Sequence, residues 1–184
     1  MGRFNIVIEG VDGTGKSTLA EELKLALPHT RLLTGSRDKP DNRQELLMAL
    51  AHARSVADMT RVNIFGRHPA ITEACYRDQG GLALVEVEKE LEECQIDLLI
   101  WASRPLRDLE IKVRDNDPRD VTYNQNLKAR LPAIISNYEA LMSVLQDFML
   151  RRGKAFEVFT GRDNKFLYEL FINKVALMAG QHTK

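Results

Sequence analysis

The stretch FNIVIEGVDGTGKST, from Phe4 to Thr18, decides how this chain is read. Its first part, FNIVI (4–8), is apolar except at Asn5, which suits a central strand buried on both faces. Gly10, Gly13 and Gly15 follow, then Lys16 and Ser17. Next comes KSTLAEELKLAL, with Leu19, Leu23 and Leu27 at helical spacing and Pro28 closing the run. Strand, glycine loop and helix in that order give G-x-x-x-x-G-K-[ST] over residues 10–17, in the setting the motif requires. Glycines let a backbone curl so that its N–H groups point inward at phosphate oxygens, where side chains would block the approach. The helix beginning near Lys16 adds the positive end of its dipole. The stretch therefore predicts a nucleoside triphosphate site built from Gly10, Gly13, Thr14, Gly15, Lys16, Ser17 and Thr18. Lys16 would reach the β- and γ-phosphates, and the Ser17 hydroxyl would ligate Mg²⁺.

The rest of the sequence bounds the chain around that loop. With 184 residues, ordinary apolar content and few Pro or Gly, it predicts one domain over 1–184. Formal net charge is zero, so electrostatics give no reason to expect nucleic acid or a membrane as partner. Cys75 and Cys94 are too few for a disulfide framework or a cysteine metal site, and both are expected as buried small apolar residues in a reducing, cytoplasmic setting. The apolar run near Met1 is too short for a signal peptide, no stretch could span a bilayer, and Ile6 breaks the myristoylation pattern.

Outward from the loop, strands alternate with helices. RLLT (31–34), RVNIF (61–65), IDLLIW (96–101) and AFEVF (155–159) read as further strands. Helices are predicted over about 43–57, 81–94, from after Pro132 to about Arg151, and over 166–179, with a charged helix and loop after Ser103. Such alternation implies an α/β fold, a five-stranded parallel sheet with helices on both faces.

IVIEGVDGTGKST resembles the glycine loop of thymidylate kinases, whose pattern is an apolar strand and then E-G-x-D-G-x-G-K-[ST]. RHPAITEACY looks like nucleotide kinases of phages, IDLLIW plus a basic stretch like the strand and lid of the same superfamily, and ISNYEALM like the helix after the lid. The resemblance implies a three-layer P-loop NTPase fold, a basic lid at about 103–121, and pairing of two chains through helices. It also implies that ATP and Mg²⁺ phosphorylate a small (deoxy)nucleoside monophosphate. A phage origin would place the protein in the host cytoplasm.

Resemblance also assigns residues. Arg67, at the end of the third strand, would bind the acceptor, with His68, Tyr76 and Arg77 beside it and Arg37 after the second strand. The family has an aspartate before that arginine, and here Gly66 stands in its place. Asp12 would take over near acceptor and metal, with Glu9 as the other candidate metal carboxylate. Thr14 replaces an arginine some thymidylate kinases carry in the loop, so Arg107 and Arg114, on one helix face of the lid, would serve the transferring phosphoryl. Each lid arginine could equally be solvated surface, since carboxylates are interleaved with them. Two rival readings stand beside this one: a deoxynucleoside kinase, and a nucleotide-binding protein whose transfer is impaired by Gly66.

Overall fold

A computed structural model describes residues 2–33, 42–57, 61–77, 81–109, 121–161 and 163–182, without the side chains of 121–128 and 182. Five strands form one parallel sheet: β1 (Phe4–Glu9), β2 (Thr30–Leu33), β3 (Val62–Phe65), β4 (Leu98–Ala102) and β5 (Ala155–Phe159), in the order β2-β3-β1-β4-β5. The helices are α1 (Lys16–Ala26), α2 (Arg43–Ala57), α3 (Pro69–Tyr76), α4 (Leu84–Glu93), α5 (Val121–Arg151) and α6 (Lys165–His182).

Period-two alternation along β1 sorts the layers. Phe4, Ile6 and Ile8 face α1 and α6, in a core with Leu19, Leu23, Ile64, Leu98, Ile100, Phe159 and Val175. Val7 faces the other way, into the larger core of α2, α3, α4 and α5 with Leu50, Ile71, Leu91, Leu99, Tyr138 and Met142. Asn5 and Glu9 share the Val7 face, so both polar residues of the strand are buried and need partners. Asn5 finds them at the lower edge: its amide donates to the Cys94 carbonyl at 2.9 Å, and its backbone N–H to Asp97 Oδ2 at 2.9 Å. Cys75 and Cys94 are free and buried, as expected.

One expected boundary moves. The sequence places the start of the long helix after Pro132, but α5 begins at Val121 and carries Pro132 inside it. Proline in a helix interior removes a hydrogen bond and costs about 3 kcal/mol. A buried stripe of Leu131, Ile134, Tyr138, Met142, Leu145 and Met149 outweighs that local cost through tertiary packing. No described helix is long and apolar enough to cross a membrane.

Candidate active site

Because every strand runs the same way, all carboxyl ends meet at one edge, and the chain changes direction across β1 between the β3 and β4 sides. Ligands of open parallel sheets bind at such a switch point. The glycine loop sits there. Gly10, Gly13 and Gly15 have φ of 147°, 86° and 90°, conformations that side-chain-bearing residues rarely adopt. A Cβ on Gly10 would stand 2.1 Å from the Ala102 carbonyl oxygen, so the close approach of β4 also demands glycine. Thr14 holds the curl, its hydroxyl donating to the Val11 carbonyl at 2.8 Å.

Lys16 opens α1 and turns back over the loop, donating from Nζ to the same Val11 carbonyl at 2.7 Å. Burial, together with the Arg67 charge, pushes its pKa down to about 7, against the pull of Asp12 and Glu9. Ser17 and Thr18 are exposed in the first turn. The loop thus fits a polyphosphate: glycines open its curl at three positions, a buried lysine has a single acceptor among the described residues, and Ser17 is exposed. Among the described residues no group of three His, Cys, Asp or Glu side chains could hold a metal alone, so a Mg²⁺ at Ser17 would draw its remaining ligands from phosphate and water.

Glu9, offered by the sequence as a metal ligand, has a different set of partners. Its Oε1 accepts from the His68 backbone N–H and from the Thr72 hydroxyl at 3.2 Å. Its Oε2 accepts from the Tyr138 hydroxyl at 2.9 Å and from the Gly10 N–H at 3.3 Å. Burial raises the Glu9 pKa, although Arg67, the His68 N–H, Lys16 and Tyr138 favour the carboxylate. The carboxyl therefore ties the end of β1 to α3 and to the middle of α5. Tyr138 and Thr72 were missed as site residues, since nothing in their local sequence points to a glutamate so far away in the chain.

Arg67 stands above this network and forms an ion pair with Asp12 on the loop. Its guanidinium lies 5.4 Å from the Tyr76 ring centroid, and the Tyr76 hydroxyl reaches Asp12 Oδ2 at 3.4 Å. Burial opposes the Arg67 charge, but the surrounding Tyr76, Asp12, Tyr138 and Glu9 outweigh it and raise its pKa. Tyr76 packs edge-on against Tyr138, with ring centroids 5.9 Å apart. Two further α5 side chains, Arg130 and Asn137, donate to the carbonyls of Tyr76 and Cys75 at 2.5 and 3.0 Å, clamping the end of α3. Asp12, Arg67 and Tyr76 thus form one cluster at the loop, as the sequence expects of neighbours.

Other expected residues fall elsewhere. His68 does not line a pocket: its ring has no exposed surface, lies 3.4 Å from Cys94 Sγ and packs on Phe65. The apolar surroundings push its pKa down to about 4 and keep it neutral. Arg77 pairs with Glu73 one helical turn earlier. Gly66 donates its N–H to the Leu33 carbonyl at 2.8 Å, joining β3 to β2. Arg107 is exposed beside Asp108 in a short helical run at 106–109, while Arg37 and Arg114 lie outside the described residues. Arg104 is the arginine after β4 that turns inward, lining a small cleft with Val11, Thr14, Trp101 and Tyr138. Its guanidinium rests on Gly161, where a Cβ would meet Nη2 at 2.5 Å.

A parallel sheet of this strand order, with a glycine loop closing β1 onto α1, is the fold of P-loop kinases. No protein-family model and no curated protein matches the sequence. Solved structures do. The chain is similar to the YorR protein of Bacillus subtilis in complex with phosphorylated GDP, at 16% identity and a TM-score of 0.64, covering 96% of this chain and 95% of that one. It is similar to thymidylate kinase from Candida albicans, at 13% identity and a TM-score of 0.63, covering 100% and 94%. Deoxyadenosine kinase from M. mycoides, with its products dCMP and dCDP bound, gives 15% identity and a TM-score of 0.61, covering 95% and 100%. The shared fold extends over nearly the whole of each chain.

Proposed function

We propose that this protein is a phosphotransferase that moves the γ-phosphoryl group of ATP to a (deoxy)nucleoside monophosphate, in the manner of a thymidylate kinase. The observation that carries the reading is the meeting of two differently built cationic sites at one loop. Lys16 lies inside the curl, in reach of a polyphosphate, and Arg67 lies on its rim, held by Asp12 and the Tyr76 face. Phosphoryl transfer needs little covalent help from a protein; it needs two anions held together and the charge of the transferring group stabilised.

The residues divide that work. The loop amides and the α1 N-terminus hold the donor phosphates, and Lys16 becomes fully charged once those phosphates surround it. Ser17 would hold Mg²⁺, with Asp12 as a nearby carboxylate. When bound, the metal neutralises charge across the phosphate oxygens. The Arg67 guanidinium presents a planar fork suited to an acceptor phosphate, which would compete with Asp12 for it. Tyr76, Arg77 and Arg37 are assigned to the acceptor side, and Arg107 and Arg114 to the transferring group. Glu9 positions rather than reacts, because donors already occupy both its oxygens.

ADP release measured with Mg·ATP against a panel of nucleosides and their monophosphates tests the reading. Turnover is expected on a monophosphate, and Arg67→Ala is expected to raise its KM at least tenfold while changing ATP affinity far less. Turnover on nucleosides alone would make the protein a deoxynucleoside kinase. ATP binding with no turnover on any acceptor would favour impaired transfer, with Gly66 in place of the family aspartate.

A further inference from the structure

At the edge of the sheet opposite the glycine loop, a cavity of about 540 Å³ opens between the ends of α4 and α5. That size suits a small molecule. The two helices end alike. After α4, Ile96 donates its N–H to the Leu91 carbonyl at 3.0 Å, and Gln95 donates to the Glu92 carbonyl at 2.8 Å. After α5, Lys154 donates to Met149 at 2.9 Å and Gly153 to Leu150 at 3.0 Å. Each such turn needs one residue in the left-handed region, a place that glycine takes without strain. Gly153 does so, with φ of 66° and nothing within 4 Å of where a Cβ would stand. At the matching place on α4 the chain holds Gln95, with φ of 49°. Glutamine carries a penalty there that glycine would remove, and Gln95 lines the cavity.

We propose that this cavity binds a nucleotide, its base lying on Arg152 and read along one edge by Gln95, at a site separate from the glycine loop. Asn5 lines the cavity and Gly10 opens the loop; five residues of strand set them about 17 Å apart, with β1 between the two sites. Arg152 supplies the platform. Its planar guanidinium lies over the Phe148 ring, 4.8 Å from the centroid, and pairs with Glu92, so it is held in the cavity wall from two sides. Bases stack on a guanidinium plane. A glutamine amide sets a donor beside an acceptor, the pattern that a base edge matches. Charge calls for an anion. Arg3, Arg152 and Lys154 face two carboxylates, Glu92 and Asp97. Both are engaged, Glu92 by Arg152, and Asp97 by Lys154 at 2.6 Å and the Asn5 N–H at 2.9 Å. A phosphate group supplies the balancing negative charge. The site does not depend on the reaction proposed above.

Titration of the isotope-labelled full chain with a panel of nucleoside monophosphates, followed by NMR, tests this. The side-chain N–H signals of Gln95 and Arg152 are expected to shift and saturate, apart from any change at Gly13 and Gly15. Nucleosides or inorganic phosphate alone are expected to need at least about tenfold more ligand for the same shifts. Gln95→Gly is expected to weaken this binding about tenfold while raising the melting temperature, because the strain leaves with the side chain. Arg152→Lys keeps a charge beside Glu92 but loses the flat face, and is expected to weaken binding as well. Shifts confined to the glycine loop overturn the proposal and leave the phosphotransferase reading standing. Saturable shifts at Gln95 in a protein without turnover do the reverse. Binding of inorganic phosphate or benzoate as tight as that of any nucleotide overturns the proposal. So does a Gln95→Gly chain that binds as before or melts lower.

Discussion

Triphosphate binding should draw a proton out of solution, and Lys16 should be where it lands. Lys16 is 6% exposed, donates to the Val11 carbonyl and feels the Arg67 charge, so its pKa falls to about 7. A bound polyphosphate supplies several negative oxygens at the same spot and restores the ordinary, strongly basic lysine. The uptake then follows from the fraction of uncharged lysine before binding: about 0.1 proton at pH 6, about 0.5 at pH 7 and about 0.9 at pH 8. Affinity weakens correspondingly, by about tenfold or ~1.4 kcal/mol between pH 6 and pH 8. Calorimetric titration with a non-hydrolysable ATP analogue and Mg²⁺, in buffers of differing ionisation enthalpy at each pH, reads the uptake directly. Lys16→Arg is the control, because a guanidinium stays charged and only the ligand's own titration remains. Equal proton uptake by wild type and Lys16→Arg at pH 8 would refute the reasoning. The free protein should show the linked effect: its unfolded lysine holds more protons between pH 7 and about 10, so stability from this group rises with pH across that window.

Other outcomes follow from the same geometry. Tyr138→Phe keeps the ring packed on Tyr76 but removes a donor from buried Glu9, and should lower stability by about 1–3 kcal/mol in urea titrations; an unchanged midpoint would show that the contact is idle. His68 is neutral when folded, with a pKa near 4, while its unfolded value is about 6.5. Its contribution is complete above pH 6.5 and is lost as pH falls toward 4, by up to about 3 kcal/mol relative to His68→Gln, whose stability should lack that slope. Glu9, with its raised pKa, acts in the opposite sense, but it is present in both proteins and cancels in the comparison. Gly10→Ala forces a Cβ onto the Ala102 carbonyl and keeps an unfavourable φ, so it should cost more than about 2 kcal/mol and abolish ATP binding measured by fluorescence. Unimpaired binding would mean that the loop is built otherwise.

What could be read in advance was what repeats locally. FNIVI and IDLLIW announce central strands because both faces are buried, and 43–57 announces a helix because Leu46, Leu50 and Ala53 keep one face; α2 spans those same residues. The glycine loop is a local device as well, its residues contiguous in the chain. Pro132 misled because a local penalty was weighed without the tertiary stripe that overrides it. Glu9 misled for a related reason. A carboxylate beside a phosphate loop suggests metal, and only the packed chain brings it a phenol 129 positions away. His68 adjoins a candidate acceptor arginine in sequence, yet its ring turns into the core, where an apolar neighbourhood and Cys94 receive it. Asn5 was the one hint of this kind, a polar residue in a run that otherwise reads as greasy, and it marks a buried amide hub with Asn63 and Cys94.

The clamp of Tyr138 on Glu9 has a mechanical side. α5 is a continuous rod, and at about 1.5 Å per residue its beginning at Val121 lies about 25 Å from the point where Tyr138 is pinned beneath the glycine loop. A tilt of about 5° around that pin would carry Val121 through about 2 Å, while the pinned phenol would barely move. Any such tilt would work against the Arg130 and Asn137 contacts to the end of α3, and would reach the floor of the glycine loop as a far smaller displacement than at Val121.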